Sequence, residues 1–83
     1  MLTQKIAISE NGLSARNIRS FVQATGEYKC GIWIEHDGQR TNAKSVLGVL
    51  SAQIKANGFI TLLADGEDEQ EAIHSLSDLL SSF

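Results

Sequence analysis

Alternation is the first pattern in the chain: from Gln4 to Ser9, residues Gln4, Ile6 and Ile8 fall on one side and Lys5, Ala7 and Ser9 on the other. That period of two predicts a half-buried strand. Asn11-Gly12 breaks it, and a helical period follows through Ile18, Phe21, Val22 and Thr25. Ser14 is placed to cap that helix and Gly26 to end it. A second strand is predicted from Tyr28 to Glu35, with Tyr28, Cys30, Ile32 and Ile34 inward and Lys29, Trp33 and Glu35 on the other side. His36-Asp37-Gly38-Gln39 carries the Asp-Gly signal of a tight hairpin, so Gln39 to Asn42 reads as a short, polar return strand at a sheet edge.

Ser45 opens a second helix through Val46, Leu47, Val49 and Leu50, extending toward Ile54. Asn57-Gly58 is a further turn, and Phe59 to Ala64 is the next strand. After Asp65-Gly66 the last helix places Ala72, Ile73, Leu76, Leu79, Leu80 and Phe83 on one face. Its acidic first turn suits the positive end of the helix dipole. The predicted order is βαββαβα. In so short a chain three helices cover one face of a four-stranded antiparallel sheet, giving an α/β (α+β) two-layer open-faced sandwich.

Composition narrows the class. At 83 residues the chain supports a single domain over 1–83, one that buries about 60–65% of its unfolded surface. Apolar residues make up 42% and charged residues 20%, the mix of a folded, soluble protein. No apolar run reaches the roughly 20 residues needed to span a bilayer, and Met1 to Lys5 lacks the apolar core of a signal peptide. The one cysteine, Cys30, has no internal partner, which fits a reducing compartment. A cytoplasmic protein without membrane contact is expected. The net charge of −3 speaks against direct nucleic-acid binding. The charges are nevertheless segregated: acids crowd Asp65 to Glu71, and basic residues stand at Arg16, Arg19, Lys29, Arg40 and Lys44.

Three local runs carry a resemblance: Gly12-Leu13-Ser14-Ala15-Arg16-Asn17-Ile18-Arg19-Ser20-Phe21, Asn42-Ala43-Lys44-Ser45-Val46-Leu47-Gly48-Val49-Leu50-Ser51, and, more weakly, Gly66-Glu67-Asp68-Glu69-Gln70-Glu71-Ala72. In this order and spacing they resemble the HPr family of the bacterial sugar phosphotransferase system, over essentially the whole chain. The first run corresponds to the family's G-L-H-A-R-P-A-A-x-F, and the second to its regulatory serine segment.

The resemblance places Ser14 where the family carries the histidine that accepts phosphate from enzyme I. A phosphoimidazole transfers its group readily, whereas a phosphoserine is a stable ester, so Ser14 is not a chemical substitute. Asn17 stands in place of the family's proline and Arg19 in place of a small alanine. His36, in a turn, and His74, in the last helix, are not placed to take over. The carrier function therefore reads as lost and no enzyme activity is expected, while an anion pocket persists at Ser14 and Arg16. On local grounds alone Ser14 is an ordinary N-cap and Arg16 a solvated arginine.

Ser45 is also a reasonable N-cap. The resemblance makes it a phosphorylation site, where a phosphate adds about −1.5 to −2 charge at a helix N-terminus and leaves the fold intact. A short helix cannot bury all the apolar residues that follow: Val49 faces the core, and Val46, Leu47 and Leu50 leave a patch beside Ser45. In the family this patch docks enzyme I, HPr kinase/phosphorylase and the regulator CcpA. A chain that keeps the serine and lacks the histidine is similar to the Crh-type members. The implied function is a noncatalytic regulator of carbon catabolite control, phosphorylated on Ser45 and acting as corepressor for a CcpA-type transcription regulator through Arg16, Val46, Leu47 and Leu50. Two alternatives are an HPr-like phosphocarrier and a phosphate-independent module that binds a metabolic enzyme. The two histidines and Cys30 fall in different elements, with no spacing for a metal site or a catalytic triad, so neither metal nor cofactor is expected.

Overall fold

The computed structural model describes every residue from Met1 to Phe83. Its elements are β1 (Leu2–Ala7), α1 (Ala15–Thr25), β2 (Gly31–His36), β3 (Gln39–Asn42), α2 (Val46–Ser51), β4 (Phe59–Asp65) and α3 (Glu69–Ser82). The four strands form one sheet in the order β1-β4-β2-β3, antiparallel at every pairing. The last strand thus enters the middle of the sheet. All three helices contribute to one core on one side of it.

Register decides which residues meet there. Ile6 lies opposite Ile60, while Ile34 faces Leu62 and Ile32 faces Ala64. All six are buried with Ile18 and Phe21 of α1, Val49 of α2, and Ala72, Leu76 and Leu80 of α3. Each large side chain buried this way stabilises the fold by about 1.5–3 kcal/mol. The helix spacing of Ala72, Leu76 and Leu80 puts all three on the same stripe.

The uncovered face is partly sealed by its own residues. Trp33 lies opposite Leu63 in the register, and its indole lies across Gly31, where a β-carbon would collide with the ring. Leu63 is buried on this side although no helix covers it. Beside it the Lys5 ammonium sits 4.8 Å from the Phe59 ring centroid, within cation–π range.

Several boundaries differ from those the sequence predicts, each for a local reason. β1 spans Leu2–Ala7 and not Gln4 to Ser9, because β4 continues to Asp65 and brings Ala64 opposite Leu2. Ile8 lies beyond the strand but still donates its N–H to the Gly58 carbonyl at 2.8 Å. β2 begins at Gly31, since the Lys29 and Cys30 amides donate to Asp68 at 2.8 and 2.9 Å and not to a neighbouring strand. Tyr28 and Cys30 still pack on the core from this loop. Gly26 ends α1 at φ −66°, without the left-handed turn expected of a C-terminal glycine. α2 stops at Ser51, before Ile54, and Gln53 at φ 51° turns the chain away. The hairpin matches its signal: Asp37 and Gly38 take φ of 51° and 78°, the pair of positive angles a type I′ turn needs.

Candidate functional site

The loop from β1 to α1 is built around one carbonyl. Ser9 accepts from the Gly12 N–H at 3.0 Å and from the Asn57 N–H at 3.2 Å, which ties the start of α1 to the segment after α2. Gly12 takes φ +66°, a conformation that glycine adopts at little cost. Ser14 then caps α1: its Oγ accepts from the Asn17 N–H at 3.1 Å, and its carbonyl accepts from Ile18 at 2.9 Å. Arg16 and Arg19 are exposed. Neither takes part in any of the molecule's ion pairs.

The second cluster opens α2. The Ser45 N–H donates to the Asn42 carbonyl at 3.1 Å, and the Ser45 carbonyl accepts from Val49 at 3.0 Å. Its Oγ accepts from the Gly48 N–H at 3.0 Å. Val49 is buried at 1% exposure, Val46 is half-buried, and Leu47 and Leu50 are 78% and 39% exposed. The apolar strip beside Ser45 is therefore mainly Leu47 and Leu50, with Val46 tucked partly beneath.

Two contacts fix how these clusters relate. Thr25, at the end of α1, places its Oγ1 3.5 Å from the Ala43 carbonyl, just before α2. Gly12, before α1, lies against Ala56, after α2. The helices therefore run antiparallel, and Ser14 with Arg16 stands at the opposite end of the pair from Ser45. An 11-residue helix spans about 16 Å. The exposed leucines of α2 lie along the stretch between the two ends.

The sequence patterns missed three residues of this region. Gly48 is one: a β-carbon there would sit 3.1 Å from Thr41 Cγ2 and 3.2 Å from Ser45 Oγ, close enough to press on the serine cap. The signal was a glycine inside a very short helix, where it is otherwise unfavourable by roughly 1 kcal/mol. Lys44 is another. Its Nζ donates to the Tyr28 carbonyl at 2.7 Å, turning its charge toward the loop before β2. The third, Asp68, looks like part of a solvated acidic run, yet it makes no cap bond to its own helix. Its two oxygens instead hold the Lys29 and Cys30 amides. Those hydrogen bonds, the Lys29 N–H foremost, hold the Asp68 carboxyl below the usual carboxylate range. Burial, with Asp68 beside it, pushes the Cys30 thiol up to about 11.

The histidines lie elsewhere. His36 contacts Asp37 at 3.6 Å beside the hairpin, and His74 faces Asp78 at 3.8 Å on the outside of α3. No three His, Cys, Asp or Glu side chains gather as a metal cage, and no helix is long and apolar enough to cross a membrane.

With this geometry in view, residues 3–82 match the family model described as PTS HPr component phosphorylation site. The chain is 38% identical over 78 residues to the HPr-like protein Crh of Bacillus subtilis (strain 168), covering 93% of this chain and 92% of that one. It is 34% identical over 84 residues to the phosphocarrier protein HPr of Neisseria meningitidis, covering 100% and 94%. The crystal structure of HPr-C-His from Thermoanaerobacter tengcongensis superposes with a TM-score of 0.92 at 37% identity, over 99% of this chain and 93% of that one.

Proposed function

The chain belongs to the HPr family, whose members are phosphocarrier proteins and not enzymes, and from that premise we propose that it is a noncatalytic regulatory member, signalling through Ser45. One observation carries the reading. Ser14, at the position the resemblance assigns to the phosphoacceptor histidine, is engaged as a helix cap, and both histidines of the chain stand on other elements. A phosphate relay has no imidazole at this corner to pass through.

At Ser45 the arrangement favours a switch. HPr kinase transfers the γ-phosphoryl group of ATP to Ser45 Oγ, and the hydroxyl proton leaves with a base of the kinase. The phosphate oxygens then take over the Gly48 N–H that the hydroxyl now holds, so the helix start keeps its partner. The docking face becomes bipolar. It has a phosphate at one end, Arg16 at the other, and Leu47 and Leu50 along the middle. A CcpA-type regulator that places basic groups opposite Ser45 and acidic groups opposite Arg16 would match it, with Val46, Leu47 and Leu50 supplying the apolar contact. In this role the protein is a corepressor of carbon catabolite genes, and any contact with DNA runs through the regulator.

The test is binding to a CcpA-type regulator before and after treatment with HPr kinase and ATP. Binding should appear only after treatment and vanish in Ser45→Ala; undiminished binding by that variant would overturn the reading. Similarity to a phosphocarrier keeps a carrier as the second reading. It requires phosphate uptake from phosphoenolpyruvate and enzyme I by the wild-type chain. Uptake by Ser14→His alone would mean that only the acceptor is missing.

A further inference from the structure

α1 carries two neighbouring cations near its N-terminal end, and no ion pair compensates them. Arg16 and Arg19 stand three residues apart in its first two turns, the spacing that makes side chains neighbours, about 5–6 Å apart at Cβ. α1 contains no acidic residue in its eleven positions. Neither guanidinium joins an ion pair. Two like charges at this spacing raise each other's energy, and Arg16, in the first turn, also meets the positive end of the helix dipole.

Of the other five cations three have partners, while Lys29 and Lys55, like the two arginines, join no ion pair. Arg40 pairs with Glu35 at 3.3 Å, Lys44 bonds the Tyr28 carbonyl, and Lys5 lies over Phe59. The chain as a whole is acidic, at −3, so the arginine pair is not the overflow of a basic composition. A stability-driven sequence would put a neutral or acidic residue at position 19.

We infer that Arg19 is a specificity residue of the docking face, forming with Arg16 a paired-cation site for an acidic protein surface that presents two neighbouring carboxylates. This rests on the reading that the α1–α2 face is where a partner docks. Guanidinium groups suit the task because each can grip a carboxylate through two parallel N–H donors. The antiparallel helices turn the end of α2 that carries Leu50 toward the arginine end, so an acidic partner would meet apolar surface next to the charges. The resemblance puts a small alanine at position 19, which makes the second cation a feature of this chain and a means of choosing among partners that share the rest of the surface.

The probe is hexaglutamate, titrated into ¹⁵N-labelled protein at low and at high salt. Amide shifts should centre on residues 15–20 and fade at high salt. Arg19→Gln should weaken binding about three- to tenfold, and Arg40→Gln should leave it unchanged. Arg19→Gln should also keep or raise Tm, by about 1–3 °C, through relief of the like-charge pair with Arg16, which separates lost recognition from lost folding. Unchanged hexaglutamate affinity in Arg19→Gln, or shifts centred elsewhere, would overturn the inference. The same variant is then compared with the wild type for binding the regulator after kinase treatment. A wild type that captures hexaglutamate on α1 but no regulator refutes the catabolite reading and leaves the acidic-partner site standing. Regulator binding that Arg19→Gln does not weaken refutes the site and leaves that reading standing.

Discussion

Helices α1 and α3 both present their first turns at the surface, and their charges point in opposite senses. At α3, Glu69 and Glu71 lie in the first turn, Glu69 accepts from the Gly66 N–H at 3.1 Å, and Asp68 holds two amides of the loop before β2. Every charge there favours the helix or fastens a neighbour. At α1 a neutral serine makes the cap and the nearby charges are two unpaired arginines. One helix start works as a structural clamp. The other is capped by Ser14 and carries two exposed cations that join no ion pair, the feature on which the proposed acidic-partner site rests.

The two helix starts should differ most at the glycines that precede them. Gly66 takes φ +149°, and a β-carbon there would come within 2.7 Å of Cys30 Cβ and 2.8 Å of its Cα. Gly66→Ala should therefore cost about 3 kcal/mol or more in a denaturant titration, from backbone strain plus overpacking. Gly12 takes φ +66°, but its nearest neighbour, Ala56 Cβ, would be 3.4 Å away, so Gly12→Ala should cost only the conformational strain of about 1–2 kcal/mol. Equal losses would mean that the two corners are not built differently.

The next largest effect should come from Asp68→Ala, which strands two backbone donors and should lower Tm more than alanine at any other acid of the run. Its pH signature follows from the depressed carboxyl. The stability it contributes is present above about pH 4, the unfolded value, and is lost as pH falls through the lower folded value. Asp68→Asn should flatten that part of the acid unfolding profile. Ser14→Ala, by contrast, removes one exposed cap and should cost about 1 kcal/mol, with no change in acid sensitivity and none in regulator binding after kinase treatment. The smallest effect lies at high pH. The Cys30 thiol is raised to about 11, so the stability linked to it is complete below the unfolded value of about 8.5 and declines as pH rises toward 11. Iodoacetamide at pH 8 should label Cys30 only as fast as the protein opens.

Much of this fold could be read from hydrophobic periodicity. Ile6, Phe21, Ile32, Ile34, Val49, Leu62, Leu76 and Leu80 are all buried, and the order of elements is the expected one. What escaped were features set by contacts distant in sequence. The late start of β2 depends on Asp68, 38 positions from Cys30, and no local pattern announces such a bond. The burial of Leu63 on the uncovered face depends on Trp33 across the sheet. At the candidate site the residue types were visible in the sequence, because serine, arginine and exposed leucine stand in recognisable runs. Their layout was not: the opposite placement of Ser14 and Ser45 follows from the antiparallel packing of α1 and α2.

The most direct measurement is to incubate the protein with HPr kinase and ATP, and separately with enzyme I and phosphoenolpyruvate, and to locate any phosphate by mass spectrometry. One phosphate should appear on Ser45 in the first reaction and none in the second. Phosphate taken from phosphoenolpyruvate, or a Ser45 left unmodified by the kinase, would contradict the proposed function.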